Sequence, residues 1–200
     1  AGSLRVEDLS VEASMLSARG EIACGPGGGI EARFPSIAVP TGSQAARSAL
    51  SMAGAIPLSL DGTLKLESVE ARRSAAGLSC SGTLKLDEAG LRYGVGPEPA
   101  FDKRPGVPLS LAWKAESSPA MDRWTIAEAR LATPAGVLSG EGSTSIEPAS
   151  LRFTLKESPL DLAALAGLLP AVRSLSPSGK IHPAGTLTLD PGKAAPAASL

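Results

Sequence analysis

The sequence predicts a mainly β protein: a curved antiparallel meander of repeated hairpins that forms a groove or half-barrel, with two short crossing helices. Three observations support this prediction. Short segments of alternating apolar and polar residues, typical of strands with one buried face, recur along the 200 residues. Glycine (22) and proline (17) are frequent, which suits many short strands separated by turns. One hairpin motif is repeated, and an internal repeat constrains the whole fold.

The repeated motif is clearest in two segments that align without a gap, GTLKLDEAGLRY at Gly82–Tyr93 and GSTSIEPASLRF at Gly142–Phe153. Each predicts a strand, a turn and a return strand. A third version, GEIACGPGGGIEARF at Gly20–Phe34, has a longer glycine-rich turn. That turn lacks the GK[ST] and the helix of a phosphate-binding loop, so we interpret it as a hairpin turn. The repeats predict one β domain over residues 1–190, with units near 4–57, 58–108, 109–177 and from 178 onward, and a linker or tail at 191–200.

The first strand pattern slips by one residue. Leu4 and Val6 alternate with polar residues, as do Leu9 and Val11, but the phase changes at Asp8. A β-bulge would absorb the slip, and so would a break between two short strands. Further along, Pro57–Arg73 predicts one long strand. The remaining strands are predicted at Leu109–Lys114, Trp124–Ala132, Val137–Ile146, Leu151–Lys156 and Gly179–Asp190.

Two segments have helical patterns. Thr41–Gly54 begins with the capping-box spacing of Thr41 and Gln44 and has a weak apolar face. Ser158–Pro170 begins with Ser158 as its candidate N-cap. Its apolar residues at i, i+3, i+4 and i+7 are Leu162, Leu165, Ala166 and Leu169. We expect this second helix to act as a lid across the end or mouth of the sheet, with Leu162, Leu165 and Leu169 facing it.

The predicted sheet has one apolar and one polar face, as antiparallel meanders usually do. Such a sheet must cover its apolar face by curling, by packing helices or a second sheet on it, or by holding an apolar ligand. The residues predicted to share this face and to contact a lipid are Leu64, Leu66, Leu84, Leu86, Leu91, Leu151, Phe153 and Leu155.

Charge and hydropathy exclude some functions. The 19 Lys and Arg balance 20 Asp and Glu, whereas a nucleic-acid-binding surface is normally basic, so we expect no nucleic-acid partner. No apolar stretch reaches the roughly 20 residues of a membrane span. The first residues, AGSLRVEDL, lack the basic and apolar regions of a signal peptide. Two interpretations follow: a cytosolic chain, or a piece of a longer protein whose targeting segment lies outside it. The last residues, PGKAAPAASL, resemble an interrupted linker and favour the second.

Few side chains suggest chemistry. His182 is the single histidine, and one histidine does not make a multi-histidine metal site, so a surface role is favoured over a catalytic base. Cys24 and Cys80 lie in or beside the first two hairpins. An oxidising compartment would allow a disulfide between them, and two unpaired small core residues are the alternative. The sequence therefore predicts no metal site and no cofactor.

The carboxylates and tryptophans likewise favour structural roles. Candidate acid/base pairs on amphipathic strands more often form a solvated face, so we expect no catalytic residue. Trp113 and Trp124 lie on adjacent predicted strands and are interpreted as a cross-strand packing pair rather than a ligand platform. The carboxylate pairs considered are Glu67 with Glu70, and Glu141 with Glu147.

Several segments together resemble a known family. The short G-x-L hairpins, EPAFDKRPGVPLSL, and ESPLDLAALAGLLP followed by SGKIHPAGTLTLD are similar to the AsmA-like family of bacterial envelope proteins, related to TamB, best over Leu58–Asp190. The resemblance implies a repeating β-groove with an apolar inner face that bridges the inner and outer membranes. It also implies phospholipid transport, outer-membrane maintenance, and a periplasmic location with the parent protein anchored in the inner membrane. The N component of type II secretion systems has similar β repeats.

Three functional hypotheses follow. The favoured one is a non-enzymatic module that binds or conducts phospholipid or another apolar ligand, because an acyl chain needs only a continuous apolar surface and each buried methylene contributes about 0.8 kcal/mol. The alternative is a structural or interaction domain of an envelope or secretion apparatus, whose sheet edges pair with neighbouring repeats or envelope proteins. An enzyme or sugar-binding domain is disfavoured, since sugar binding usually needs exposed aromatic residues and aromatics are 3% of the chain.

Overall fold

The fold was analysed in a computed structural model that describes residues 3–13, 16–25, 27–41, 58–94, 99–146, 149–189 and 197–199. The helix predicted at Thr41–Gly54 lies, beyond Thr41, outside the described residues. The protein is mainly β, as predicted, with a large antiparallel meander and two short helices. No helix in the described segments has both the length and the apolarity needed to cross a membrane.

Thirteen described strands form one antiparallel sheet, and eleven of them make its main path. Neighbours along this path follow chain order, which defines the meander, although the path omits three strands that belong to a second sheet. The strands of the large sheet are β1 (Leu4–Ala13), β2 (Leu16–Cys24), β3 (Ile30–Pro40), β5 (Thr63–Ser74), β6 (Gly77–Lys85), β9 (Ser110–Ser117), β10 (Arg123–Thr133), β11 (Gly136–Ile146), β12 (Ala149–Lys156), β13 (Leu160–Asp161), β14 (Lys180–Ile181), β15 (Gly185–Leu189) and β16 (Ala197–Ser199).

The second sheet is small. It consists of β4 (Leu58–Asp61), β7 (Gly90–Tyr93) and β8 (Phe101–Lys103), in the order β4-β7-β8. The three strands come from two excursions of the chain, one between β3 and β5 and one between β6 and β9. The small sheet lies over one end of the large sheet, and the buried core of the protein lies between the two sheets.

Two of the three predicted hairpins are confirmed. The first is β2–β3, in which Cys24 pairs with Ile30 across the glycine-rich turn. The third is β11–β12, in which Ile146 pairs with Ala149. Local turn signals suffice for these hairpins because the strands that they join are also neighbours in the sheet.

The prediction for the central hairpin is wrong. The turn at Asp87–Ala89 exists, but β7 does not pair with β6; it pairs with β4 and β8 in the small sheet. The place beside β6 is taken by β9, since Leu84 pairs with Leu111. The turn places Leu86 and Ala89 in the buried core, and their burial stabilises the path by which the chain leaves the sheet here.

The long strand predicted at Pro57–Arg73 is also divided. Gly62, with φ of +104°, separates β4 from β5. A side chain at this position would meet the carbonyl oxygen of Glu88 at 2.5 Å, so the tight approach and the backbone angle both require glycine. Leu58 and Leu60 therefore belong to the small sheet, whereas Leu64 and Leu66 belong to the large one.

Bulges keep the apolar face continuous. β1 is one strand, and the slip at Asp8 is absorbed by a register shift between Val6 and Leu9, with Asp8 at φ +53°. This register shift confirms the predicted β-bulge and excludes the alternative, a break between two short strands. A similar shift occurs in β5 around Ser68, at φ +51°, and in β10 between Ile126 and Ala129. Each bulge adds one residue so that apolar residues on both sides of it face the same way.

The second helix is shorter than predicted and interrupted. α1 is Leu162–Ala166 and α2 is Pro170–Arg173. Asp161, not Ser158, is the N-cap: its carboxylate accepts a hydrogen bond of 2.8 Å from the backbone N–H of Ala164. The two residues before α1 form β13 instead, because Leu160 pairs with Gly136 and Ile181.

The leucine stripe that was predicted for this helix is only half-buried. The buried apolar residues of the segment are Leu160, Ala166 and Leu168, at 4%, 6% and 3% exposed. Pro170 begins α2 rather than ending the first helix. The strand predicted at Gly179–Asp190 is divided into β14 and β15, and residues 197–199, assigned to a linker or tail, form β16 beside β15.

Candidate functional site

An apolar row crosses the large sheet from β1 to β15. Directly paired residues on antiparallel strands lie on the same face, so the register assigns every residue to a face. One set of paired residues passes through ten consecutive strands without a polar member. This long apolar row is Val6, Ile22, Ala32, Ala71, Cys80, Ala115, Ile126, Gly142, Phe153 and Leu187. At about 4.8 Å between strands, the row is roughly 43 Å long.

A second row runs parallel to the first on the same face. This short apolar row is Val11, Ala18, Ile37, Leu66, Leu84, Leu111, Leu131 and Leu138. Between the two rows the aromatic side chains of Phe34 and Trp113 lie on the apolar face, paired with Val69 and Gly82. The apolar face is therefore continuous across the sheet.

The small sheet covers one end of this face. Each of its strands contributes one side chain, Leu60, Leu91 or Phe101, that packs against the buried core. Leu84 and Leu131 of the short apolar row pack against the same core from below. The core itself is Leu86, Ala89 and Leu109. No member of the long apolar row belongs to this cluster of described residues, so the covering elements leave that row outside the core.

The eight residues predicted to contact lipid fall into two groups. Leu64, Leu84, Leu86 and Leu91 form or contact the core beneath the small sheet. In contrast, Leu66, Leu151, Phe153 and Leu155 are half-buried on the apolar face of the large sheet, where Phe153 belongs to the long apolar row. The predicted lid residues Leu162, Leu165 and Leu169 are half-buried in or beside α1.

Sequence reasoning missed much of the long apolar row. Ile126 and Leu187 are examples, and each lies directly between residues that are polar or small, Thr125 and Ala127 in β10 and two threonines in β15. The phase slip from Leu66 to Val69 resembles the one at Asp8 and would have indicated the bulge in β5. Register across ten strands, however, is not visible in any local pattern.

Much of the apolar face is exposed. Six of its large side chains are more than a third exposed, which is unusual for so many on one face. The most exposed is Leu4, at 65%. These six residues are Leu4, Val6, Val11, Ile30, Ile146 and Leu187. The apolar face is thus a surface as well as a partial core.

Glycines and aromatic rings pair along this face. A side chain at Gly82 would lie 2.9 Å from the ring of its partner Trp113, and one at Gly20 would lie 2.5 Å from the ring of Phe34. At Gly140 the obstacles are the backbone carbonyl oxygen of Thr154, at 2.5 Å, and the ring of Phe153, at 2.6 Å. The repeated glycine therefore lets an aromatic ring lie flat over the neighbouring strand, which keeps the apolar face free of gaps.

The opposite face is charged. Cross-strand ion pairs link Lys85 with Glu67 at 2.7 Å and Lys156 with Glu141 at 2.8 Å. The hydrogen bonds that the two ammonium groups donate to these carboxylates raise the pKa of Lys85 and of Lys156. All these groups are exposed to solvent, so each pair contributes little stability. The pairs mainly fix which face of the sheet meets water.

One charged group is buried. Lys103 of β8 is 1% exposed, and its ammonium donates hydrogen bonds to the carbonyl oxygens of Ala89 and Arg104. Burial lowers the pKa of Lys103, and the charge of Asp87 opposes this in part. The ammonium holds β8 to the turn that follows β6, so it anchors the small sheet over the core.

The residues that sequence analysis considered for chemistry lie apart. His182 is exposed, with its Nδ1 3.5 Å from a carboxylate oxygen of Glu157. Cys24 and Cys80 are unpaired and half-buried. Glu67 and Glu141 are the ion-pair partners described above, and Glu147 is outside the described residues. In the segments that the structure describes, no group of three His, Cys, Asp or Glu residues is placed to hold a metal ion.

The two tryptophans are not cross-strand partners, contrary to the prediction. Trp113 is paired with Ala129, and Trp124 with Ser117 and Thr144. Between these positions lies the pair of Ala115 and Ile126. Both indoles nevertheless lie on the apolar face, since Ala115 and Ile126 belong to the long apolar row.

Comparison with known proteins completes the description of the site. No family model, no curated protein and no solved structure matches this chain.

Proposed function

We propose that this chain is a non-enzymatic module that binds phospholipid acyl chains along the apolar face of its large sheet. The observation that carries the proposal is the long apolar row, which crosses ten strands without a polar residue. An acyl chain has no directional partners, so it needs continuity of apolar surface rather than placed donors and acceptors. Each methylene removed from water would contribute about 0.8 kcal/mol.

The proposed setting is the bacterial envelope. The segments similar to AsmA-like proteins suggest a periplasmic module of a longer, inner-membrane-anchored protein that moves phospholipid between membranes and supports outer-membrane maintenance. A sheet with one apolar and one charged face suits this setting, because the charged face keeps the module in water while the apolar face shields lipid. The row direction, across the strands, would let further repeats extend the same surface.

Lipid uptake by the purified chain tests the proposal. We expect phospholipid to be detected by native mass spectrometry, and the delipidated protein to take up fluorescent phospholipid. Leu187→Asp places a charge in the long apolar row at a side chain that is already 38% exposed, so the sheet should stay folded. Its matched control is Thr188→Asp on the opposite face, beside Arg152. Loss of uptake in the first variant alone supports the proposal; equal uptake in both, or none in the wild type, contradicts it.

A second candidate function is favoured by the edge of the sheet. β1 pairs with β2 on one side, and no described strand lies on its other side. Its backbone groups are therefore a template for a strand of a neighbouring repeat or envelope protein, which would make the chain a structural or interaction domain. Proline would block such pairing at the positions of β1 whose N–H points away from β2, and a proline scan of β1 finds them. If such a variant abolishes assembly with a longer fragment and the wild type takes up no lipid, the scaffold function is the correct one.

A further inference from the structure

A second apolar surface lies away from the long apolar row. A pocket of about 500 Å³ opens where α1 and α2 meet the loop after β8 and the turn between β10 and β11. This volume is within the about 300–1,000 Å³ of small-molecule sites. Its apolar lining is Val107, Pro108, Pro134, Ala164 and Leu168.

Two arginines belong to the same lining. Arg104 follows β8 directly, and Arg173 is the last residue of α2. Arg173 donates a hydrogen bond of 3.0 Å to the carbonyl oxygen of Gly167, which uses one of its five N–H donors. Among the described residues, neither guanidinium has a carboxylate within 4 Å. Within the described part of the chain, neither arginine of this lining is therefore ion-paired.

The single carboxylate in the lining is already paired. Asp102 lies 3.6 Å from Arg92, and its backbone N–H donates to the carbonyl oxygen of Leu168 at 2.9 Å. That backbone bond ties β8 to the segment between the two helices and fixes one wall of the pocket. Net positive charge over an apolar wall is the arrangement that suits an anionic amphiphile, with its head at the guanidinium groups and its chain on the apolar residues.

The pocket also adjoins the apolar face of the sheet. Pro134 belongs to the turn that joins β10 to β11, and Leu131 and Leu138, on either side of that turn, form the last pair of the short apolar row. A chain that starts at the guanidinium groups thus begins beside one end of that row.

We propose that Arg104 and Arg173 form an anionic head-group site, which takes the phosphate of a lipid whose chain contacts the apolar wall of this pocket. This inference rests on the proposed lipid-binding function and adds the chemical class of the head group. Arginine binds a phosphate through paired, charge-assisted hydrogen bonds, so two arginines give both affinity and orientation. An uncharged amphiphile would contact the apolar wall without the affinity that these hydrogen bonds add.

The test compares three probes by isothermal titration calorimetry: octyl phosphate, octyl glucoside and inorganic phosphate. We expect octyl phosphate to bind the wild type about tenfold tighter than either of the others, because it combines charge-assisted hydrogen bonds with an apolar chain. The double variant Arg104→Gln/Arg173→Gln should lose this preference and bind octyl phosphate as it binds octyl glucoside. The matched control is Arg130→Gln, which changes an exposed arginine of the charged face. This variant should keep the preference for octyl phosphate.

A variant without charge change separates the two parts of the site. Ala164→Phe fills the pocket from α1 and should weaken octyl phosphate and octyl glucoside together. If inorganic phosphate binds as tightly as octyl phosphate, the site takes free phosphate and the lipid inference is wrong. If the double variant keeps the preference for octyl phosphate, the two arginines are not the head-group site.

The same variants distinguish this inference from the proposed function. Uptake of fluorescent phospholipid depends on the apolar face, so a wild type that takes up none contradicts the proposed function itself. A wild type that takes up lipid, together with a double variant that takes up anionic and zwitterionic phospholipid in the same ratio as the wild type, contradicts the head-group site alone.

Discussion

The indole of Trp113 lies directly over Gly82 on the neighbouring strand. The two residues are register partners in β9 and β6, and a side chain at Gly82 would come within 2.9 Å of the ring and within 3.2 Å of Val69. Gly20 and Gly142, which occupy the same place in the other two repeats, also lie against an aromatic ring. Each copy of the sequence repeat thus places a glycine against an aromatic ring.

Substitution of these glycines should therefore destabilise the sheet. Gly82→Ala should cost about 1–3 kcal/mol, as overpacking does. Gly142→Ala should cost more, because the obstacle is the backbone carbonyl of Arg152, which moves less easily than a ring. Gly27→Ala is the control, since nothing lies within 4 Å of its position. Urea denaturation measures all three. Equal stability of the Gly27 and Gly82 variants would contradict the claim that the aromatic ring over Gly82 requires a glycine there.

The buried Lys103 predicts a pH dependence. Because burial lowers its pKa in the folded protein, the unfolded chain binds more protons than the folded protein between the lowered pKa and the ordinary value of 10.5. Stability should therefore rise as the pH increases through that alkaline window. Lys103→Met removes the titrating group. The difference in free energy of unfolding between wild type and variant, measured from pH 7 to pH 10, should shift in favour of the wild type; a difference independent of pH would refute the prediction.

Packing of the helical segment depends on Leu168. This side chain is 3% exposed, so Leu168→Ala should cost about 2–5 kcal/mol. Leu175, which follows α2, is 73% exposed, and Leu175→Ala should change stability by less than about 0.5 kcal/mol. Thermal or chemical denaturation of both variants checks this. A mild effect of Leu168→Ala would mean that the segment is loosely attached and is a lid rather than part of the core.

The cysteines should remain reduced. Cys24 lies on β2 and Cys80 on β6, three strand spacings apart, which is roughly 14 Å. A disulfide needs α-carbons no more than about 7 Å apart. Both thiols should therefore react with iodoacetamide in denaturant without a reducing agent, as mass spectrometry would reveal. Protection of both from alkylation would show a disulfide and a different arrangement of the strands.

Local signals in the sequence predicted the parts of the fold that are themselves local. The hairpins at Gly20–Phe34 and Gly142–Phe153 join strands that are neighbours in the sheet, so their turns and alternation were sufficient. The phase slip at Asp8 indicated a bulge because the apolar residues on both sides need the same face. These elements depend on residues close together in the chain.

Long-range packing decided the parts that were predicted wrongly. β7 alternates like the return strand of a hairpin, but its partners are β4 and β8, and the buried Lys103 that anchors them is distant in sequence. Ser158 and Asp161 both have cap chemistry, and the pairing of Leu160 decides between them by placing it in β13. Four of the eight residues predicted to contact lipid form or contact the core, because alternation assigns a face but does not show what covers it.

The central claim is that the apolar face contacts acyl chains, and the two native tryptophans test it most directly. Trp113 and Trp124 both lie on that face, so no added label is needed. The measurement is quenching of their fluorescence in the delipidated protein by phospholipid with a nitroxide near the end of one acyl chain, compared with phospholipid carrying the nitroxide on its head group. Stronger quenching by the acyl-chain nitroxide is predicted. No quenching, or equal quenching by the two lipids, would contradict the claim.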